Sequence, residues 1–131
     1  MLLTANRRQS RAPQHLLDHP GVLAAALDCV WANVFVADLE LRLVWMNQRA
    51  KETLKAIAPD IQRMFNVGSD ELLGGSIHRF HRDPARVEAI LRDPKSFPHS
   101  ATFRFGETVL RTQINGIRSS DGELHGFIVA W

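Results

Sequence analysis

Two imidazoles three residues apart, His78 and His81, lie in the run Gly74-Gly75-Ser76-Ile77-His78-Arg79-Phe80-His81-Arg82-Asp83-Pro84. A neutral imidazole can ligate iron, including the iron of a haem. The chain closes on Gly126-Phe127-Ile128-Val129-Ala130-Trp131. An indole N–H donates one hydrogen bond and offers no acceptor. Together, His81 and Trp131 could form two sides of a small cofactor pocket, one supplying a metal ligand and the other a donor. Singly, each has a plainer explanation. His81 can be a surface or capping residue beside Asp83, and a tryptophan at a strand end is commonly core or interface. His78, one turn earlier, is the rival ligand. Gly74-Gly75 would let a flat group approach the backbone, and would equally stop a helix.

Several elements must position these residues. Apolar spacing predicts a helix over 15–30, with Leu16, Leu17, Val22, Leu23, Ala26, Leu27 and Val30 on its apolar face. Such a face needs a partner, and the expectation is a parallel homodimer through this helix. Residues 33–38 and 42–46 read as a strand hairpin rich in β-branched and aromatic residues. Asn47 stands at an N-cap, ahead of a helix over 48–58. Asn47 and Trp45 are expected to be structural rather than cofactor-binding. Pro59 is expected to end that helix, with a short one over 60–65 beyond it. Ser69 to Leu73 and Ile77 to His81 read as single turns. Asp83 caps a helix that Pro84 opens and that runs through Leu91. Three strands follow, over 100–105, 108–117 and 123–131, with turns at Gly106-Glu107 and Ser120-Asp121-Gly122.

Alternation places Phe127, Val129 and Trp131 on one face of the last strand, against Ile128 and Ala130. In the strand before it, Leu110, Thr112 and Ile114 oppose Val109, Arg111 and Gln113. The first row has the small, apolar character that lines a ligand pocket. Strands at both ends with helices between them define an α+β fold, a five-stranded antiparallel sheet with its helices on one face.

Composition narrows the function classes. The 131 residues suit one domain, 45% hydrophobic and 23% charged, with a net charge of only +2. That charge argues against nucleic-acid binding. The basic cluster Arg7, Arg8 and Arg11 reads as part of a flexible segment over 1–14. The single cysteine, Cys29, permits no intramolecular disulfide, no cysteine-based zinc site and no covalent haem attachment. No apolar run is long enough to span a membrane and no signal peptide is visible, so the expected location is the cytoplasm. No nucleophile–base–acid set, phosphate loop or metal cluster appears, and no enzymatic activity is expected. The abrupt end on an apolar strand suggests a piece of a longer protein.

From about Ala25 to Trp131 the chain resembles the PAS sensory domains. The resemblance rests on the first hairpin, the Trp45-Met46-Asn47-Gln48 step into a helix, the turn at Leu73-Gly74-Gly75 and the final meander with Asp121-Gly122. It implies a sheet in the order 2-1-5-4-3 over 31–131, with any cofactor between the sheet and the central helices. Phe80-His81-Arg82-Asp83-Pro84 and Val129-Ala130-Trp131 more narrowly resemble the haem-binding PAS domains of soluble aerotaxis-type chemoreceptors. That resemblance implies haem b, with His81 as proximal iron ligand and Trp131 as donor to a diatomic gas, oxygen being the expected one. Ile77, Phe80, Thr112, Ile114 and Val129 would line the pocket. The subgroup's second histidine, just inside the next helix, is Arg86 here, which leaves any role of that position open. The implied function is a gas sensor regulating a downstream signalling domain. The alternative is a cofactor-free dimerisation and relay module. A flavin is less expected, since Cys29 precedes the first strand rather than lying on a central helix.

Overall fold

A computed structural model describes residues 15–131, which fall into two compact units, 15–30 and Trp31–Trp131. The expected flexible segment 1–14 lies outside the described residues. In the first unit, residues 15–18 are helical and α1 spans Val22–Asp28. The single helix expected over 15–30 is thus divided. Pro20 disfavours helical backbone at His19, and Gly21 takes a left-handed conformation with φ 78°. No residue of α1 is buried, and Leu16, Leu17, Leu23 and Val30 are all exposed.

The second unit is built on an antiparallel five-stranded sheet in the order β2-β1-β5-β4-β3. Its strands are β1 (Val34–Asp38), β2 (Leu43–Met46), β3 (His99–Phe105), β4 (Thr108–Arg118) and β5 (Leu124–Ala130). Between β2 and β3 come α2 (Gln48–Ala56), α3 (Ala58–Phe65) and α4 (Pro84–Arg92), with 3-10 turns at Ser69–Glu71, Ile77–Phe80 and Pro94–Ser96. Pro59 lies inside the first turn of α3 instead of ending α2. A missing N–H costs nothing at that position, because first-turn donors have no partner within the helix. The break falls instead at Ile57, which closes α2 and opens α3.

The inner row of β4 is Leu110, Thr112 and Ile114. Thr112 is buried and its neighbours half-buried, while Val109, Arg111 and Gln113 are exposed. Pairing carries this face across the sheet. Ile114 is in register with Val129 and with His99, Val129 with Phe35, and Phe127 with Ala37. Gly126 of β5 sits tight against β1. A Cβ there would lie 2.4 Å from the Ala37 carbonyl oxygen. Two core clusters form under the sheet. Phe35, Leu43, Met46, Ala50, Leu54, Ile61 and Leu72 make one, and Leu41, Leu91 and Phe127 the other.

Asn47 locks the first hairpin to α2. It is fully buried, and its Oδ1 accepts hydrogen bonds from Ala50 N and Val34 N, each at 3.0 Å. Its Nδ2 donates to the Ala32 carbonyl at 2.9 Å. Asn47→Ala removes a helix cap and strands buried backbone groups, so the expected destabilisation is about 3 kcal/mol. Urea unfolding followed by circular dichroism measures it. A change under about 1 kcal/mol would contradict this account of the hairpin–helix junction.

Candidate functional site

The 3-10 turn Ile77–Phe80 is pinned from several sides. Gly74 takes φ 84°, which turns the chain back along the edge of β2. There Gly74 N donates to the Leu43 carbonyl at 2.7 Å and Leu43 N to the Gly75 carbonyl at 2.9 Å. The Ser76 hydroxyl caps the turn by accepting from His78 N at 3.1 Å, and Ile77 N donates to the Leu41 carbonyl at 2.9 Å. The Arg79 guanidinium straps the same segment, reaching the Ser76 and Glu71 carbonyls at 3.3 Å each. The Gly74-Gly75 pair therefore does edge-strand and turn work.

His81 follows as the residue that closes the turn. Its backbone is extended, and its N–H donates to the His78 carbonyl at 3.1 Å. Two residues on, Asp83 accepts from Arg86 N at 3.1 Å and starts α4 with Pro84 in its first turn. His81 is thus held between two capped elements. Asp83 spends its carboxylate on the helix, not on His81.

The His81 ring is half-buried, and its Nδ1 is buried with no hydrogen-bond partner. Burial pushes its pKa below the usual histidine value, and the neighbouring His78 pushes the same way. The imidazole is therefore held neutral. Its ring centroid lies 6.4 Å from that of Phe103 on β3 and 6.0 Å from that of His78. His78 is placed differently. Its Nε2 lies 2.9 Å from Glu88 Oε1 on α4, and only its Nδ1 is buried without a partner. A neutral ring with a nitrogen free of competing bonds has the donor chemistry that iron requires. By that measure His81 fits a haem iron; His78 also keeps a free buried Nδ1, while its Nε2 is engaged by Glu88.

Trp131 extends the β1–β5 ladder by one pair, its N–H donating to the Asn33 carbonyl at 3.0 Å and its carbonyl accepting from Asn33 N at 2.8 Å. The half-buried indole stacks on Phe35, with centroids 5.7 Å apart and planes within 11°. Among the described residues its indole N–H has no hydrogen-bond partner. Phe80, Val129 and Trp131 pack against the larger core cluster, while Ile77 and Ile114 pack against the smaller one. The buried Thr112 donates its hydroxyl to the Ala101 carbonyl at 3.2 Å. The sheet's inner face thus carries Thr112, Ile114, Val129 and Trp131, with Ile77, Phe80 and His81 on the facing turn. His81 lies beside β3 and Trp131 beside β1, toward opposite ends of that face.

Two residues were not among the expected site residues, Phe103 beside His81 and Glu88 beside His78. Phe103 could have been found by alternation, since it pairs with Leu110 of the inner row. Glu88 has no comparable sequence signal. Cys29 is exposed in the first unit. Among the described residues no group of His, Cys, Asp or Glu could hold a metal ion by itself, and no helix is long and apolar enough to cross a membrane.

No family model matches the chain. It is 29% identical over 110 residues to the methyl-accepting chemotaxis protein McpB of Pseudomonas aeruginosa, covering 83% of this chain and 16% of that protein. The chain therefore spans about a sixth of the length of that relative. Among solved structures it is similar to the Aer2 receptor of Vibrio cholerae, described as a dual PAS-haem oxygen sensor. The TM-score is 0.70 at 24% identity, over 76% of this chain and 90% of that one. The PAS domain of Bordetella pertussis BvgS also matches, with a TM-score of 0.54 at 20% identity, over 83% of this chain and 81% of that one. With the observed strand order, these likenesses establish that the chain has the PAS fold.

Proposed function

We propose that this PAS domain binds haem b between the sheet and the turn at Ile77–Phe80, senses a diatomic gas, with oxygen the favoured ligand, and relays its occupancy to a signalling domain elsewhere in a longer chain. The observation that carries the reading is His81. It is a half-buried imidazole held neutral by desolvation, with a buried nitrogen free of any partner, facing the inner side of a PAS sheet. The likeness to the Aer2 receptor and to part of a chemotaxis receptor supports both the cofactor and the signalling role. Haem would supply an iron that can take a gas molecule.

In this reading the chain's own residues do the rest. His81 holds the iron. Ile77, Phe80, Ile114 and Val129 exclude water from the pocket and keep its dielectric low. Thr112 satisfies its own hydroxyl on the Ala101 carbonyl and presents its methyl side as packing surface. Trp131 brings an unspent N–H to the inner face, and its backbone is bonded to Asn33 at the domain's entrance. A contact that Trp131 makes only when gas is present would bias the end of β5, which is the differential interaction a switch needs. The domain acts as a sensor and not as an enzyme.

A second reading, a cofactor-free relay module, is favoured by one observation. Aromatic side chains of the protein already pack on one another inside the domain, Trp131 on Phe35 along the sheet face and Phe65 on Phe80 at 5.0 Å. Titrating the apoprotein with haemin separates the two. The haem reading expects a sharp Soret band saturating at one haem per chain. A broad, unsaturating spectrum would favour the relay module.

The domain is further proposed to work as a parallel homodimer through α1 and its flanks, whose apolar side chains Leu16, Leu17, Leu23 and Val30 are exposed. Light scattering should give the dimer mass for the full chain and a smaller species once the residues before Ala32 are removed. A monomer at high micromolar concentration would contradict it.

A further inference from the structure

The two nitrogens of the His81 ring meet different surroundings. Nδ1 is sealed inside the protein with no hydrogen-bond partner. Nε2 is not sealed, and among the described residues it takes no hydrogen bond either. A buried polar atom without a partner is uncommon in a folded protein. The groups that could have served Nδ1 are turned elsewhere. The His78 carbonyl accepts from the His81 backbone N–H, Asp83 accepts from Arg86 N, and Glu88 lies on His78 Nε2. The two rings beside His81 are those of His78 and Phe103, at 6.0 and 6.4 Å between centroids. Phe103 has no acceptor to give. His78 Nδ1 is itself buried without a partner, so no hydrogen bond joins the two imidazoles.

Nε2 is therefore the nitrogen this ring can offer to an iron. A neutral imidazole carries one hydrogen, so ligation through Nε2 places that hydrogen on Nδ1. Metal-bound histidines almost always donate it to a carboxylate, a carbonyl or water, which makes the ring a stronger electron donor. We propose that His81 is a weakly donating iron ligand, bound through Nε2 with its Nδ1 hydrogen given to no acceptor, and that this biases a bound haem toward its reduced, gas-binding state. The inference rests on the haem reading above. Second-shell hydrogen bonding is one of the levers that set a haem's potential. A ring that gives up less electron density supports the ferric charge less well, so the potential rises. Oxygen binds only to reduced iron, so the bias keeps a sensor competent.

The direct readout is the iron–histidine stretching band in the resonance Raman spectrum of the reduced, haem-loaded protein. It should match that of a five-coordinate haem–imidazole complex in benzene, where the N–H has no acceptor, and lie below that of the same complex in water. A band at or above the aqueous position would overturn the proposal. Supplying an acceptor should reverse the bias. His78→Gln and Phe103→Gln each put an amide oxygen beside the ring, and Phe103 belongs to neither core cluster. At least one of them should raise the stretching frequency, lower the reduction potential and tighten haem binding by about tenfold. An unmoved stretch and potential in both variants would overturn the proposal as well. A separate readout needs no haem. In the apoprotein, nitrogen-15 spectra should give His81 Nδ1 the shift of a nitrogen without a hydrogen-bond partner. A hydrogen-bonded shift there would overturn the proposal whether or not the protein binds haem. Failure of the wild type to bind haem, with the Nδ1 shift as expected, would strike the haem reading instead.

Discussion

His81→Ala is expected to lower haem affinity by more than about a hundredfold and to leave the purified protein essentially colourless. Losing an outer partner of a metal ligand commonly costs about 10–100-fold in affinity, and here the ligand itself is removed. The change is otherwise mild. His81 lies outside both core clusters, and its ring makes no hydrogen bond at its buried nitrogen. The apoprotein should fold as before, so lost colour would report lost ligation. His78→Ala and His99→Ala should keep full haem stoichiometry. The account assigns the iron to His81 alone, and His99 lies at the start of β3, off the turn that carries His81. Absorbance and pyridine haemochrome measurements on the four proteins decide the matter. Unchanged stoichiometry in His81→Ala would remove His81 from the account.

Trp131→Phe should act on the gas rather than on the haem. Phenylalanine can still stack on Phe35, but it lacks the one polar hydrogen of the indole. A hydrogen bond to a charged or strongly polarised acceptor contributes roughly 1.5–3 kcal/mol. At about 1.4 kcal/mol per decade, the rate of oxygen dissociation from reduced, haem-loaded protein should rise about tenfold to a hundredfold. Carbon monoxide is a poor acceptor, so its dissociation should change much less. Stopped flow and flash photolysis give the two rates. Equal effects on both gases would mean that Trp131 works by packing alone. No effect on either would place it outside the pocket, where its stacking on Phe35 is its whole role.

The parts of this fold that were legible in the sequence are those governed by local chemistry. Asn47 and Asp83 are caps because a short polar side chain before an apolar-periodic run has few other uses, and both accept the expected backbone bonds. The inner row Leu110, Thr112, Ile114 follows from strand alternation, and the final meander from its turn residues. Proline was harder to read. Pro59 was expected to end a helix and instead lies in the first turn of the next, and Pro20 falls in the break that divides the helix expected over 15–30. A proline constrains its predecessor in either role, so its position alone does not say which side the break falls on.

The candidate site was legible as residue types, not as arrangement. His81 and His78 look alike in sequence. What separates them is Glu88, ten positions away across a capped turn and reachable only once α4 is folded against it. The placement of His81 beside β3 and Trp131 beside β1 is likewise a product of strand order, which puts β5 between strands distant in sequence.

The most direct test of the central claim is the absorption spectrum of the haem-loaded, reduced protein, recorded without oxygen and then with it. A single histidine ligand and an open face predict a five-coordinate ferrous spectrum that shifts reversibly on adding oxygen and returns when it is removed. A six-coordinate spectrum indifferent to oxygen, or no defined haem spectrum at all, would contradict the account.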